Sequence, residues 1–258
     1  MTSAVLTGAL LADVTINWDR STNEGGNGGP TTYEIWESTS YASGYVFRGT
    51  VAASGAPNYN YVCAGCGHGN VNNYFWKVRA RNGTNFSPDG IIAAKYTQAV
   101  SAGRNLLAIP LLQADWSPAT VTQTLVPSLT VVRTYRASDG SDPWKAYYAI
   151  KPGDLSSFQF GEAFWAEMSG AGRYTVAGLV EPNPSFPLRN GWNMVTYATP
   201  TSEQQSSSVG GLGVARMETY PGPADPYGLR VVPGTEFLTW GRVYWLHVTG
   251  GSVNWVQG

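Results

Sequence analysis

Charge is scarce in this chain. Asp, Glu, Lys and Arg make up 13% of its 258 residues, and the net charge is −1. With a pI near 6.1 and no basic run, it carries no electrostatic footprint for nucleic acid or an anionic membrane surface. No apolar stretch approaches the roughly 18–20 residues needed to span a bilayer, so membrane insertion is not expected. The mildly apolar Ala4–Ala12 stretch has no basic residue ahead of it, and it reads as a first strand over Val5–Leu11 rather than as a leader peptide. The two histidines, His68 and His247, are too few and too isolated for a Ser-His-Asp triad. No Gly-x-Ser-x-Gly elbow is present. Helical periodicity is nearly missing too; Pro118–Leu125, with Ser117 as its cap, is the one candidate helix.

Glycine (31), tyrosine (15) and tryptophan (10) are abundant instead, a composition that suits strands built on aromatics and tight turns built on glycine. Val14, Ile16 and Trp18 alternate as a half-buried strand does, as do Tyr33 and Ile35, with Trp36 out of phase. Tyr45–Val51 predicts a further strand. Asp19–Thr31, which contains Gly25-Gly26-Asn27-Gly28-Gly29, reads as a flexible loop; it lacks the Lys-Ser/Thr and the helix of a phosphate-binding loop. Tyr74, Trp76, Val78 and Ala80 alternate again before an Asn82-Gly83 turn. Asn82-Gly83-Thr84 and Asn85-Phe86-Ser87 also match the glycosylation acceptor pattern. Val-x-Ile-x-Trp, then Tyr-Glu-Ile-Trp, then the Tyr74 segment ending in Ala80-Arg81-Asn82 and Ser87-Pro88 together resemble a fibronectin type III domain. The resemblance implies a β-sandwich over residues 1–99 that serves as a spacer or binding module. Gly55–Asn73 is longer and richer in Gly and Asn than that fold needs.

An internal repeat fills the remainder. Gly103-Arg104-Asn105-Leu106-Leu107 matches Gly191-Trp192-Asn193-Met194-Val195. Pro152-Gly153 followed by Gly161-Glu162-Ala163-Phe164-Trp165 matches Pro233-Gly234 followed by Gly241-Arg242-Val243-Tyr244-Trp245, and Val131–Tyr135 corresponds to Val214–Tyr220. These units resemble the tandem Gly-Trp-Asn-Leu-(Val/Ile) repeats of secreted and cell-surface proteins of bacteria and archaea, which implies an extracellular or cell-surface setting. The expected fold class is all-β: a fibronectin type III-like sandwich plus a β-rich double repeat over residues 100–258, with halves near 103–180 and 189–258. A short β unit cannot bury both faces alone, so the two copies are expected to share a core about a pseudo-twofold axis. The matched Trp165 and Trp245 are expected in that core. Ser202–Gly213 is expected to be the flexible, polar counterpart of Pro118–Leu125.

Cys63-Ala64-Gly65-Cys66-Gly67-His68 is the sharpest local constellation. Covalent haem needs His directly after the second Cys, and Gly67 intervenes. A structural zinc site needs four ligands, where three are at hand. A redox dithiol belongs beside a helix N-terminus in a βαβ setting that this chain lacks. A disulfide between Cys63 and Cys66 in an oxidising compartment is the expected state, with metal as the alternative. Glu34 and Glu37 do not share a strand face, and Glu162 and Glu167 flank a strand at an expected solvated edge, so no glycosidase pair is nominated. Asp139–Asp142 reads as a turn rather than a calcium loop. No catalytic residue and no cofactor is expected. Surplus aromatics remain: Trp36, Trp116, Trp144, Tyr147, Tyr148, Trp192, Tyr220, Tyr227 and Trp240, with Trp144–Tyr148 as the segment best suited to stacking on sugar or anchoring a partner. The expected function is a non-catalytic structural or adhesion role through contacts with other copies of itself or with other surface proteins. The alternative is a carbohydrate-binding module serving a polysaccharide-degrading system.

Overall fold

Alternation in the sequence becomes paired strands in space. The computed structural model describes residues 1–220 and 228–258. It is almost entirely β, with 45% of residues in strands and 6% in helices. No helix among the described residues is long and apolar enough to cross a membrane. The chain divides into two units: Met1–Thr97 with Leu111–Ala114 and Thr175–Val180, and the remaining segments Gln98–Pro110, Asp115–Tyr174 and Glu181–Gly258. A contiguous first domain over 1–99 therefore omits two pieces that return to it from later in the chain.

The first unit holds β1 (Ser3–Thr7), β2 (Asp13–Asp19), β3 (Thr32–Ser38), β4 (Val46–Ala52), β5 (Asn58–Cys63), β6 (Tyr74–Asn82), β7 (Asn85–Phe86) and most of β8 (Ala93–Val100). One sheet runs β1-β2-β5. The other runs β8-β6-β3-β4 and is extended beyond β8 by β13 (Gly172–Leu179), whose residues from Thr175 onward belong to this unit. Val14, Ile16 and Trp18 of β2, Tyr33 and Ile35 of β3, Tyr59 of β5, Trp76 of β6, Ala93 of β8 and Ala177 and Leu179 of β13 close one core. Trp36 is out of phase because it lies on the other face of β3, beside Glu34, to whose Oε2 its Nε1 donates at 3.2 Å. β1 ends at Thr7 rather than at Leu11, since the chain turns through positive φ at Gly8, Leu10 and Leu11.

The Gly/Asn-rich loop after β2 is tied down by a charge. Glu24 accepts hydrogen bonds from the hydroxyls of Tyr33 and Tyr59, 2.5 Å each, and from the Gly55 amide at 2.7 Å. Desolvation works against the carboxylate, but these bonds hold the Glu24 carboxyl below its ordinary value. Burial first, and the Glu24 bond second, push the Tyr33 hydroxyl up to about 12.

The second unit contains β9 (Gly103–Ala108), α1 (Pro118–Val121), β10 (Leu129–Tyr135), β11 (Trp144–Tyr148), β12 (Ala163–Met168), the start of β13, β14 (Ser185–Leu188), β15 (Gly191–Thr196), α2 (Gln205–Ser208), β16 (Val214–Thr219), β17 (Arg230–Val231), β18 (Val243–Val248) and β19 (Val253–Val256). Its two four-stranded antiparallel sheets have matching orders, β11-β10-β12-β9 and β17-β16-β18-β15. Even the irregularities match: β10 bulges against β12 between Leu129 and Val131, and β16 bulges against β18 between Val214 and Arg216. These registers pair Thr134 with Phe164 and Thr219 with Tyr244, which makes Leu129–Tyr135 the counterpart of Val214–Tyr220.

The Ser117 hydroxyl caps α1 by accepting from the Thr120 amide at 3.3 Å. The segment expected to be its flexible counterpart forms α2, held by backbone bonds from Gln205 to Glu236 (2.8 Å) and from Ser206 to Gly234 (3.0 Å).

Candidate functional site: an aromatic cleft in the double repeat

The Gly-x-Asn motif sets the first strand of each copy. Gly103 and Gly191 sit at φ +90° and +92°, a conformation that favours glycine. The buried Asn two residues on then staples the preceding turn to the strand. Asn105 Nδ2 donates to the carbonyls of Ser101 (2.8 Å) and Gly103 (3.1 Å), and its Oδ1 accepts from the Ser101 amide (3.0 Å). Asn193 repeats the pattern with Arg189 (2.8 Å), Gly191 (3.0 Å) and the Arg189 amide (2.8 Å). The middle strands are tied in the same way, because Thr134 and Thr219, both fully buried, donate to the carbonyls of Ala163 and Val243 at 2.8 Å each.

Pleating then sorts the side chains. Tyr244, Leu246 and Val248 of β18 point into the core of the second copy, so the alternate Val243, Trp245 and His247 take the opposite face. There, Leu106, Ala108 and Ala163 of the first copy pack with Met194, Tyr220 and Val243 of the second, flanked by Tyr135, Trp165 and Trp245. The rings cross reciprocally. Trp165 of the first copy meets Tyr220 of the second at 5.3 Å, and Tyr135 of the first meets Trp245 of the second at 5.4 Å. The two tryptophans expected in the core are therefore only half-buried, and they face the other copy.

Around Trp245 this contact opens into a cleft of about 300 Å³, lined by Tyr135, Trp144, Trp192, Glu218, Leu229 and Trp245. Trp144 is placed by its pairing opposite Tyr135 in the β10–β11 ladder, with ring centroids 5.2 Å apart. It lies 6.2 Å from Trp245 at 49°, while Trp192 lies 6.4 Å from Trp245 at 77° and 5.1 Å from His247. Trp144 and Trp192 are the two exposed tryptophans, at 43% and 37%. Among the described lining residues Glu218 supplies the one carboxylate, and it is paired with Arg216 at 2.5 Å.

Of the aromatics nominated from sequence, Trp144 lies in this cleft. Tyr147 pairs with Val132 and lies on the opposite face of β11 from Trp144, because three residues along a strand reverse the side. A platform spanning Trp144 and Tyr147 is therefore not formed. Tyr148 is half-buried beneath Lys151, whose Nζ is 4.2 Å from the ring centroid. Trp116 is half-buried outside the cleft lining. Tyr227 lies outside the described residues. Trp192, another of the surplus aromatics of the sequence, lies in the cleft as well, joined by Tyr135 and Trp245, which the sequence did not mark as surplus. Trp192 stands at the middle position of Gly-x-Asn, which pleating turns away from the core of its own copy.

The other sequence candidates lie apart from the cleft. Cys63 and Cys66 are joined as a disulfide at the end of β5. His68 is turned away from them, its Nδ1 3.3 Å from the Thr175 hydroxyl. Gly67 explains the interrupted motif, since a Cβ there would lie 2.2 Å from the Leu11 carbonyl oxygen. Its backbone instead docks on that segment through Gly67 N–H to Ala12 O (2.7 Å) and His68 N–H to Leu11 O (2.8 Å). The fully buried Lys95 fastens the same loop by donating to the carbonyls of Gly67 (3.2 Å) and Asn70 (2.8 Å).

The glutamates singled out in the sequence are ion-paired: Glu34 with Arg81 (2.6 Å), Glu37 with Arg48 (2.6 Å), Glu162 with Arg136 (2.5 Å) and Glu167 with Arg133 (2.7 Å). Compared with known proteins, the chain matches no family model and no curated protein.

Proposed function

We propose that this is a non-catalytic extracellular or cell-surface protein that adheres to polysaccharide, with the Trp144–Trp192–Trp245 cleft holding a sugar ring. One observation carries the reading: the two exposed tryptophans of the chain are gathered with a third and with Tyr135 around one cavity. Flat aromatic faces take the apolar face of a pyranose, and Glu218 supplies an acceptor for its hydroxyls. The ion-paired glutamates support a non-catalytic role, since glycoside hydrolysis needs two carboxylates free to face one bond. The fibronectin type III resemblance of the first unit is supported by its three-strand and four-strand sheets, to which β13 is an addition.

Retention of the full chain on a panel of immobilised polysaccharides tests the reading. At least one should retain the wild type, and Trp192→Ala or Trp144→Ala should weaken binding about 30-fold, the scale of a central aromatic anchor worth about 2 kcal/mol. Arg104→Ala, at the matched position of the other copy, should bind as the wild type does. No retention on any polysaccharide would sink the proposal.

Self-assembly is the second reading, favoured by the edge strand β4 with Val46 and Phe47 exposed at 56% and 47%. Light scattering of the same sample over a wide concentration range separates the two: growth with concentration supports assembly, and a strict monomer removes it.

A further inference from the structure

The environment of Cys63 and Cys66 is that of a dithiol as much as of a disulfide. Glu37 of β3 is 4% exposed, and each sulfur's residue is 7% exposed. One carboxylate oxygen of Glu37, Oε1, accepts from Arg48 Nε (3.0 Å) and Nη2 (2.6 Å). The other, Oε2, accepts from Trp76 Nε1 (2.9 Å) and lies 3.2 Å from Cys63 Sγ and 3.8 Å from Cys66 Sγ. The carboxylate is thus fastened by three donors, with Oε2 turned onto both sulfurs. A disulfide has no proton to give that oxygen, whereas a thiol at the same place completes its hydrogen bonding. The thiol adds a second donor, beside the Trp76 indole, to a buried charge, and bonds to charged groups are the stronger ones.

We infer that Cys63–Cys66 is a reversible thiol–disulfide exchange centre whose reduced form is stabilised by Glu37. The electron donor is a small dithiol. Its thiolate attacks one sulfur of the pair, the Cys63–Cys66 bond breaks, and a mixed disulfide forms. The donor's second thiolate then displaces the remaining cysteine and closes the donor's own disulfide. Two electrons pass from donor to protein, the donor's two protons end on Cys63 and Cys66, and the Cys63 thiol donates to Glu37 Oε2. Access is through the turn itself, whose Ala64 and Gly65 are exposed. The bridge closes so short a loop that it constrains the unfolded chain little, so its loss leaves the fold largely intact. The buried carboxylate acts oppositely to the helix N-terminus of other redox dithiols: it accepts from the protonated thiol and so holds the reduced form as thiol, not as thiolate. This inference stands on the first unit alone and does not depend on sugar binding.

The test equilibrates the full chain with defined ratios of reduced and oxidised dithiothreitol and counts free thiols by alkylation and mass. The expected result is full, reversible reduction of the folded protein. In Glu37→Gln, the exchange constant should move about tenfold toward the disulfide, about 30 mV for a two-electron couple. Because Glu37→Gln also disturbs Arg48 and Trp76, a second measurement uses the wild type alone: its unfolding midpoint should change by no more than a few degrees on reduction. Three results would each overturn the inference. These are reduction that occurs only on unfolding, an exchange constant unmoved in folded Glu37→Gln, and stoichiometric uptake of Zn²⁺ by the reduced protein, which would make Glu37, Cys63 and Cys66 a metal site.

Discussion

The two copies of the repeat agree where the backbone must be satisfied and diverge where pleating turns side chains outward. Both keep the positive-φ glycine, the stapling asparagine, the buried threonine and the Trp–Tyr crossing. At the margin of the face that meets the other copy, the first copy carries an ion-paired trio, with Glu167 2.7 Å from Arg133 and 3.7 Å from Arg104. The registers place Glu218, His247 and Trp192 at those positions in the second copy, with Trp192 tilted against His247 at 59°. Trp144 of the first copy has Leu229 at the matched strand position of the second, and both line the cleft. One framework thus supports a charged surface and an aromatic one. The framework positions report folding, and the outward positions report function.

The comparison breaks most severely at the framework. Asn105→Ala removes three hydrogen bonds and Asn193→Ala four, and each leaves a buried side-chain position and a turn amide without its partner, so each should cost about 3 kcal/mol in denaturant unfolding. Near-equal losses would show the two copies to be energetically equivalent, and a cost confined to one copy would show the repeat to be symmetric in geometry alone. A smaller effect tests the crossing. Double-mutant cycles on Trp165/Tyr220 and on Trp245/Tyr135 should each give a coupling of about 1 kcal/mol. A coupling near zero at Trp245/Tyr135 would show that the cleft side has given up packing for exposure.

The smallest effect is electrostatic. Lys145 and Arg230 occupy matched strand positions, and each has a carboxylate partner in the loop that follows its strand: Asp154, 4.0 Å from Lys145, and Glu236, 2.5 Å from Arg230. The Ala146 amide holds the Asp154 carboxyl below its ordinary value, and the Arg230 guanidinium does the same for Glu236. Because both folded values lie below the unfolded ones, their contributions are fully present above the unfolded carboxylate range and are lost as pH falls through the folded values. Acid unfolding followed between pH 5 and pH 2, a window set on the order of model carboxylate values, should therefore be shallower in Glu236→Gln. The difference should fade in high salt, as for other exposed pairs.

Much of this was legible in advance because it rests on period and on glycine. Val14, Ile16 and Trp18, and the paired Gly-x-Asn motifs, announce their strands without help from distant residues. Trp165 and Trp245 do pack against the core the two copies share, but at its half-buried margin, because how far each ring is covered depends on the other copy. The cleft was half-legible: Trp144 stood out, but its companions come from β10, β15 and β18, and only strand pairing brings them together. Glu24 and Glu37 were invisible as anchors, since a lone glutamate in a polar segment gives no sign of the tyrosines or the indole that will bond it. The pairing of β13 (Gly172–Leu179) with β8 was hidden for a similar reason, as β8 lies far back in the chain.

That late strand has a consequence for synthesis. When residue 99 leaves the ribosome, β8 still has an open edge, and the strand that covers it has yet to be made. At common translation speeds the wait is on the order of 5–15 s. Throughout that time the nascent first unit carries an unpaired ladder of backbone groups, the condition in which neighbouring chains trade strands. How well the protein is produced should therefore depend on what shelters β8 during those seconds, and a chain cut just after the sandwich would keep that edge open permanently.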